Sequence, residues 1–418
     1  MTETPLIRPF RAIRPAPRHA ADVAAPPYDV LSAEEARQRV AGRPWSFLHV
    51  SRPDVDLPPD ADPYAPEAYA KAAAAMARLI EAGILIRDGK PGYYVYRLTA
   101  GRHRQTGIAA AAAIAAYESG RIRRHELTRP EKEMDRARQI VAVGAHTGPV
   151  FVLHRPNERI AGVAAAFTDE TPIADVRDDA GVRHQVWRID APDAVEAVSA
   201  AFEAMEALYV ADGHHRAAAA ARVAHSRPTP GAGERFLVVS FPCDEVRILD
   251  YNRVIRDLNG HTSEELLERL APSFTIEPAA APVRPDRRHA FGMVVDDRWY
   301  RLTLRAAPPA NASPLDRLDV SVLSRLVLTP LLGIGDPRTD SRIDFVGGSR
   351  GLEELERRVA RDAWAIGFSL YPTALADLMA VADSGAVMPP KSTWFEPKLA
   401  DGLLSLPLEN NGDAGRSG

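Results

Sequence analysis

The residues Asp212-Gly213-His214-His215-Arg216 follow a short apolar run, Leu208-Tyr209-Val210-Ala211, and precede an alanine-rich stretch. A strand that ends, a glycine that turns the chain and a helix that begins aim backbone N–H groups and the positive helix end at one point. Such a junction attracts anions, phosphate above all. Gly213 permits close approach of a ligand to the backbone. Arg216 can grip phosphate oxygens in two places at once, and His214 and His215 add ring N–H donors. Asp212 can hold a magnesium ion or orient a hydroxyl. The plainer alternative is a helix start capped by Asp212, with a histidine satisfied in the core. Five residues of this kind at one junction favour the chemical reading. Zinc ligation by His214 and His215 is the weaker alternative, because adjacent histidines point in different directions and no His-x-x-x-His spacing accompanies them.

A second group is Arg124-His125-Glu126-Leu127-Thr128, which leads into Glu131, Lys132, Asp135 and Arg136. Glu126 can act as a general base for a hydroxyl if that hydroxyl sits beside it. A solvated charged loop explains the same residues. A third group, Met388-Pro389-Pro390-Lys391-Ser392-Thr393-Trp394-Phe395-Glu396-Pro397-Lys398, is stiffened by three prolines. Lys391 or Lys398 can reach a phosphate and Ser392 a substrate, or the segment is a packed proline-rich tail. The turn Pro26-Pro27-Tyr28-Asp29 is similar in kind: Tyr28 and Asp29 line a pocket or cap the next helix. Val346-Gly347-Gly348-Ser349 lacks the lysine of a P-loop. No Gly-x-Ser-x-Gly elbow or Ser/His/Asp triad is visible.

Helices and strands must position these groups. Ser32 and Glu35 form a capping box at a helix start. Ile7 to Arg14 and Trp45 to Val50 are expected as strands. Tyr64 to Ala82 is expected as a helix closed by Gly83. Tyr93 to Leu98 and Gln105 to Ile114 flank a hairpin turn, with the run Ala109 to Ala116 ambiguous between strand and helix. Pro130 to Val143 and Pro192 to Met205 read as helices, the former with proline in its first turn. Val150 to His154, Phe236 to Phe241 and Val246 to Tyr251 read as strands, and a helix capped by Ser263 comes after them. Pro228 to Gly233 is expected as a loop and Gly412 to Gly418 as a disordered tail.

The chain has 418 residues with 52 basic and 56 acidic side chains, a net charge of −4. That balance argues against a protein that coats nucleic acid. The hydrophobic share of 46 % excludes full disorder. A single cysteine, Cys243, excludes an internal disulfide and any cysteine-based zinc cluster, which fits the reducing cytoplasm best. No apolar run is long enough for a membrane span. The 35 prolines are well above the usual ~5 % and are scattered, which implies long ordered connections. The stiff segments Ala25–Val30 and Met388–Lys398 are expected to fold back over Asp212–Arg216 as walls of one site.

Taken together, Ala25-Pro26-Pro27-Tyr28-Asp29-Val30, Arg124 to Thr128, Asp212 to Arg216 and Met388 to Leu399 resemble the domain-of-unknown-function family 1015, from the N-terminus to about residue 405. The pair His125-Glu126 and Asp212-Gly213-His214-His215-Arg216 is also similar, more distantly, to the free-serine kinases, whose core belongs to the ParB/sulfiredoxin superfamily. Arg124 stands where those kinases have proline, and the two motifs lie further apart here. This resemblance implies a mixed α/β (α+β) fold: an N-terminal α/β segment over 1–115, a ParB/sulfiredoxin-like core over 116–260, and a C-terminal α/β segment over 261–410. It implies phosphoryl transfer to the hydroxyl of L-serine or a similar metabolite from ATP, ADP or pyrophosphate with Mg2+. Glu126, Asp212 and His215 would be catalytic, Asp212 also the metal ligand. Gly213, His214, Arg216 and Lys391 would bind phosphate, and Tyr28, Asp29, His125 and Ser392 the substrate. The alternatives are a ParB-like nucleotide-binding regulator and a phosphatase or phosphotransferase. Assembly into a homo-oligomer stays open.

Overall fold

Long apolar stretches of this chain alternate with helices, several of which start at Pro or are capped by Ser, Thr or Asn, and the computed structural model shows the mixed α/β fold that results. The structure describes residues 4–226, 234–361 and 363–408. The loop expected at 228–233 and the tail expected from Gly412 lie outside the described residues. The chain forms two compact units: residues 1–124, 128–246 and 397–418 make the first, and residues 125–127 with 247–396 make the second.

The first unit is built on a nine-stranded sheet. Across it, Ile122–Arg123, Leu208–Asp212, Val150–His154, Arg235–Pro242, His103–Ala113, Tyr93–Ala100, Arg183–Ile189 and Ala174–Arg177 lie side by side, and Ile7–Arg8 pairs with His103–Ala113. Two contacts are parallel, Leu208–Asp212 on Ile122–Arg123 and Arg235–Pro242 on Val150–His154; the others are antiparallel. The alanine run resolves as strand through Ala113 and then a short helix, Ile114–Glu118. Pairing with neighbours on both sides overrides alanine's helix preference there. One face of the sheet carries the main core, with Phe202, Val152, Val210, Phe236 and Trp187 all buried.

Two helices of this unit flank the Asp212–Arg216 motif. Pro130–Val143 starts with proline in its first turn and ends at Gly144 in the left-handed region, φ 70°. It packs on the alanine-rich helix His214–Ser226 through Ala137, Ile140, Ala219 and Val223. Small side chains at that seam let the backbones approach. The capping box of Ser32 and Glu35 is present at the start of Ala33–Val40.

Several local expectations are corrected. Trp45 to Val50 is not a strand; Leu48–Ser51 is a short helix. Phe47, Leu48 and Val50 are all buried, and an apolar run buried on every side has no periodicity to separate the two states. Ile7 to Arg14 is broken into two short strands, Ile7–Arg8 and Ile13–Pro15. The helix expected to be capped by Ser263 is capped one residue earlier, by Thr262 with Glu265.

The second unit holds a six-stranded, wholly antiparallel sheet in the order Phe274–Ala279, Arg298–Leu304, Ala290–Val295, Ile366–Leu370, Tyr251–Ile255, Ile343–Gly347. The helix Gly351–Arg361 lays Leu352 and Leu355 against Val254, Val294 and Val346. Among the described residues, no helix is long and apolar enough to cross a membrane.

Phe202 is fully buried in the first unit's core and its ring meets His154 edge-on at 5.3 Å. Phe202→Ala is expected to destabilise the protein by about 3–5 kcal/mol, measured by denaturant unfolding.

Candidate functional site

The strand Leu208–Asp212 runs antiparallel to Val150–His154, and its register shifts between Val210 and Asp212. Such an irregularity re-aims a strand end. Gly213 then takes φ 96°, a conformation that favours glycine, and the helix His214–Ser226 begins at the next residue. Its first internal bond runs from the Ala217 N–H to the Gly213 carbonyl at 3.0 Å. Helix geometry gives the N–H groups of the first turn no partner within the helix. The expected strand–glycine–helix junction is therefore present, with its positive end at Gly213–His215.

Arg216 does not stand out from this junction; it is folded beneath it. Its side chain is 10 % exposed. One terminal nitrogen donates to the Pro149 carbonyl and the other to Asp212 Oδ2 at 3.2 Å. Two glycines make room for it. A Cβ on Gly213 would lie 2.9 Å from Arg216 Nε, and a Cβ on Gly148 would lie 3.1 Å from Cδ. Asp212 Oδ2 also faces Lys398 Nζ at 3.5 Å. Both terminal nitrogens of the guanidinium expected to clamp phosphate are thus engaged inside the protein.

Around Arg216 lies a pocket lined by Tyr28, Ser51, Arg136, Gln139, His146, Thr147, Gly148 and Asp401 among others. Arg136 lies over the Tyr28 ring, 4.2 Å from its centroid, and pairs with Asp135 at 2.8 Å. Asp135 in turn accepts from the Tyr69 hydroxyl at 2.9 Å. Burial, reinforced by the Asp29 carboxylate, pushes the Tyr28 phenol well above its ordinary pKa. Asp401 is 2 % exposed. Burial pushes its carboxyl up to about 7 and Asp29 adds to the rise, while Arg216, Arg136 and the Tyr28 N–H work against it. The backbone of Asp401 exchanges hydrogen bonds with Ala25, at 3.1 and 2.8 Å, so the stiff turn after Ala25 is tied to the segment that follows Lys398.

The residues singled out in the sequence divide between the units. Tyr28, Asp29, Asp212, Gly213, His214, His215, Arg216 and Lys398 belong to the first. His215 Nε2 accepts the Arg129 N–H at 3.1 Å, just before the Pro130–Val143 helix, which puts the ring proton on Nδ1 when the ring is neutral. His214 is buried. His125, Glu126, Lys391 and Ser392 belong to the second unit. There the His125 carbonyl accepts from the Met388 N–H at 2.8 Å, and Lys391, at φ 58°, places its ammonium 5.8 Å from the Tyr251 ring centroid. The Ser392 hydroxyl donates to the Pro389 carbonyl at 2.6 Å, a contact within its own turn. Of the charged helix that follows Glu126, Lys132 reaches the Tyr64 hydroxyl at 2.7 Å.

Sequence reading missed Asp401, Ser51 and Gln139. Asp401 did leave a trace: it is the one charge in the otherwise apolar or glycine run Leu399 to Leu404. Ser51 and Gln139 carried no signal, since a lone serine and a helical glutamine are ordinary.

The chain belongs to the DUF1015 family of proteins of unknown function, whose family model matches residues 7–321. None of the curated proteins matches the chain. Among solved structures, SbnI with a C-terminal truncation, from Staphylococcus aureus, is similar at 12 % identity and a TM-score of 0.41, over 72 % of this chain and 87 % of that one. A free serine kinase in complex with AMP is similar at 12 % identity and a TM-score of 0.38, over 72 % and 91 %. A conserved hypothetical protein from Pyrococcus furiosus is similar at 11 % identity and a TM-score of 0.35, over 72 % and 95 %.

Two outcomes test this geometry. Gly213→Ala is expected to destabilise the protein by about 2 kcal/mol or more, because a side chain at this φ is strained and would press on Arg216. Thermal unfolding measures it. For Asp401, a pKa above the unfolded value means that folding takes up a proton between about pH 4 and pH 7, so its contribution to stability falls as pH rises through that window. Relative to wild type, Asp401→Asn is expected to gain melting temperature from about pH 4 to about pH 7 and to level off above that. A pH-independent difference would contradict the assignment.

Proposed function

We propose that the protein is a kinase that transfers a phosphoryl group from a nucleotide to the hydroxyl of a small metabolite, with L-serine as the model acceptor. The observation that carries this reading is the Asp212–Arg216 junction. A glycine at positive φ opens a helix whose first-turn N–H groups converge where a strand ends, and a buried cation lies directly beneath. Phosphoryl transfer asks little covalent chemistry of a protein; it asks for a phosphate cradle, a metal and a placed base.

In this reading the N–H groups of Gly213, His214 and His215 hold the phosphates, with Arg216 supplying positive charge from below. His214 and His215 add ring contacts. Lys391 is assigned to phosphate, and Tyr28, Asp29, His125 and Ser392 to the acceptor. Glu126 is the base, a role that rests on the match of His125-Glu126 to the free-serine kinases. Its carboxylate takes the hydroxyl proton as the acceptor oxygen bonds to the terminal phosphorus. The bond from that phosphorus to its bridging oxygen breaks, and the shortened nucleotide leaves with the electron pair. Asp212 is a single carboxylate at the cradle, of the kind that holds Mg2+ together with substrate phosphates. Mg2+ bound there would neutralise phosphate charge. A nucleotide and a small molecule are the partners this chemistry needs, and the cytoplasm is where both are abundant.

The test is to incubate the protein with L-serine and, in separate reactions, ATP, ADP and pyrophosphate, each with Mg2+, and to look for phosphoserine by mass spectrometry. Product is expected with one donor, and Glu126→Gln is expected to slow its formation by about 10²–10⁴-fold. Equal inactivity of wild type and Glu126→Gln across a panel of small alcohols would sink the reading.

A further inference from the structure

Among the buried polar side-chain atoms of the first unit that have no hydrogen-bond partner among the described residues are Ser51 Oγ, Gln139 Oε1 and Arg216 Nε. Ser51 and Gln139 are each 3 % exposed and Arg216 is 9 % exposed. All three residues line the same pocket. Protein interiors pair the great majority of such groups, and each one left over asks for an explanation. Three around one pocket share a single explanation, an occupant that pairs them.

Their chemistry describes that occupant. Arg216 Nε is a donor. Beside it, Arg136 has Nε and one terminal nitrogen held by Asp135 at 2.9 and 2.8 Å, while among the described residues the other terminal nitrogen reaches only the Ser51 carbonyl, at 3.5 Å. Two guanidinium groups with N–H capacity to spare suit an anionic oxygen. Gln139 Oε1 can only accept. Its amide nitrogen donates to the Val50 carbonyl at 2.5 Å, which also fixes which end is oxygen, since the flipped amide would set two oxygens face to face. The occupant must therefore offer Gln139 an N–H or O–H. Ser51 Oγ can take either role, and the Asp401 carboxyl is a second group at the same wall.

We propose that this pocket binds a small acid whose carboxylate meets Arg216 and Arg136 and whose neighbouring amino or hydroxyl group donates to Gln139, the chemistry of an α-amino or α-hydroxy acid. The pairing of one anionic head with one donor head is what a lone anion or a lone amine cannot supply. As a binding site the proposal stands by itself. Only in naming this acid as the phosphoryl acceptor does it rest on the kinase reading.

The experiment is thermal shift and calorimetry on the full chain without nucleotide, using L-serine, glycine, L-lactate, acetate, methylamine and inorganic phosphate as probes. At least one of the two-headed acids is expected to bind and raise the melting temperature, with acetate and methylamine much weaker. Gln139→Leu is expected to weaken that binding about tenfold or more, the scale of one lost hydrogen bond to a charged or polar head. Ser51→Ala, a smaller change, is expected to weaken it less while keeping the fold. No response to any two-headed acid overturns the proposal, as does binding of phosphate alone or equal binding by Gln139→Leu. A melting temperature raised by Gln139→Leu in a protein that binds none of the probes identifies the three atoms as packing defects. The two readings fail separately. Acid binding without any phosphorylated product removes the kinase and leaves this site. Phosphorylation with a KM for the acceptor unchanged in Gln139→Leu and Ser51→Ala removes this site and leaves the kinase.

Discussion

The first unit is organised around a buried positive charge. Taking a guanidinium out of water is costly unless hydrogen bonds and counter-charges replace the solvent. Arg216 meets that cost with the Pro149 carbonyl on one terminal nitrogen and Asp212 on the other. The neighbouring structure depends on this. A side chain at Gly213 would crowd the guanidinium and one at Gly148 would crowd the Arg216 Cδ, and Asp212 must end its strand within reach. Asp401 shares the same wall, where Arg216 and Arg136 hold down part of the rise that burial imposes on its carboxyl.

That arrangement changes what the histidine-rich motif means. Read along the chain, Asp212 to Arg216 is a set of side chains presented to a ligand. In three dimensions Asp212 and Arg216 face each other across the glycine, and His215 serves the start of another helix through the Arg129 N–H. In the kinase reading, what the junction offers a phosphate is the backbone of its first helical turn, beside a cation that the protein itself holds. In that reading an anion would meet backbone N–H groups and a charge already desolvated.

Much of this was legible in the sequence because it is local. The strand–glycine–helix junction, the Ser32–Glu35 capping box and the helix beginning at Pro130 each depend on residues within a few positions of one another. The distant partner of Arg216 was not legible, since Pro149 is 67 positions away and acts through its carbonyl, which every residue has. Asp401 is tied to Ala25 from the opposite end of the chain, and only its place in an apolar run hinted at burial. Trp45 to Val50 misled for a related reason: the run is apolar because the core surrounds it, and that says nothing of its backbone. Ser51 and Gln139 become informative only once their neighbours are known, because an unpaired atom is a property of packing and not of residue type.

The most direct test of the cradle is a crystal structure of the protein with Mg2+ and a non-hydrolysable nucleoside triphosphate analogue. Phosphate oxygens are predicted within hydrogen-bond distance of the Gly213, His214 and His215 N–H groups, with Arg216 still seated between Gly148 and Gly213 and still bonded to Pro149 and Asp212. A nucleotide bound elsewhere in the protein, or an Arg216 that swings out of its slot to take the phosphates itself, would contradict it.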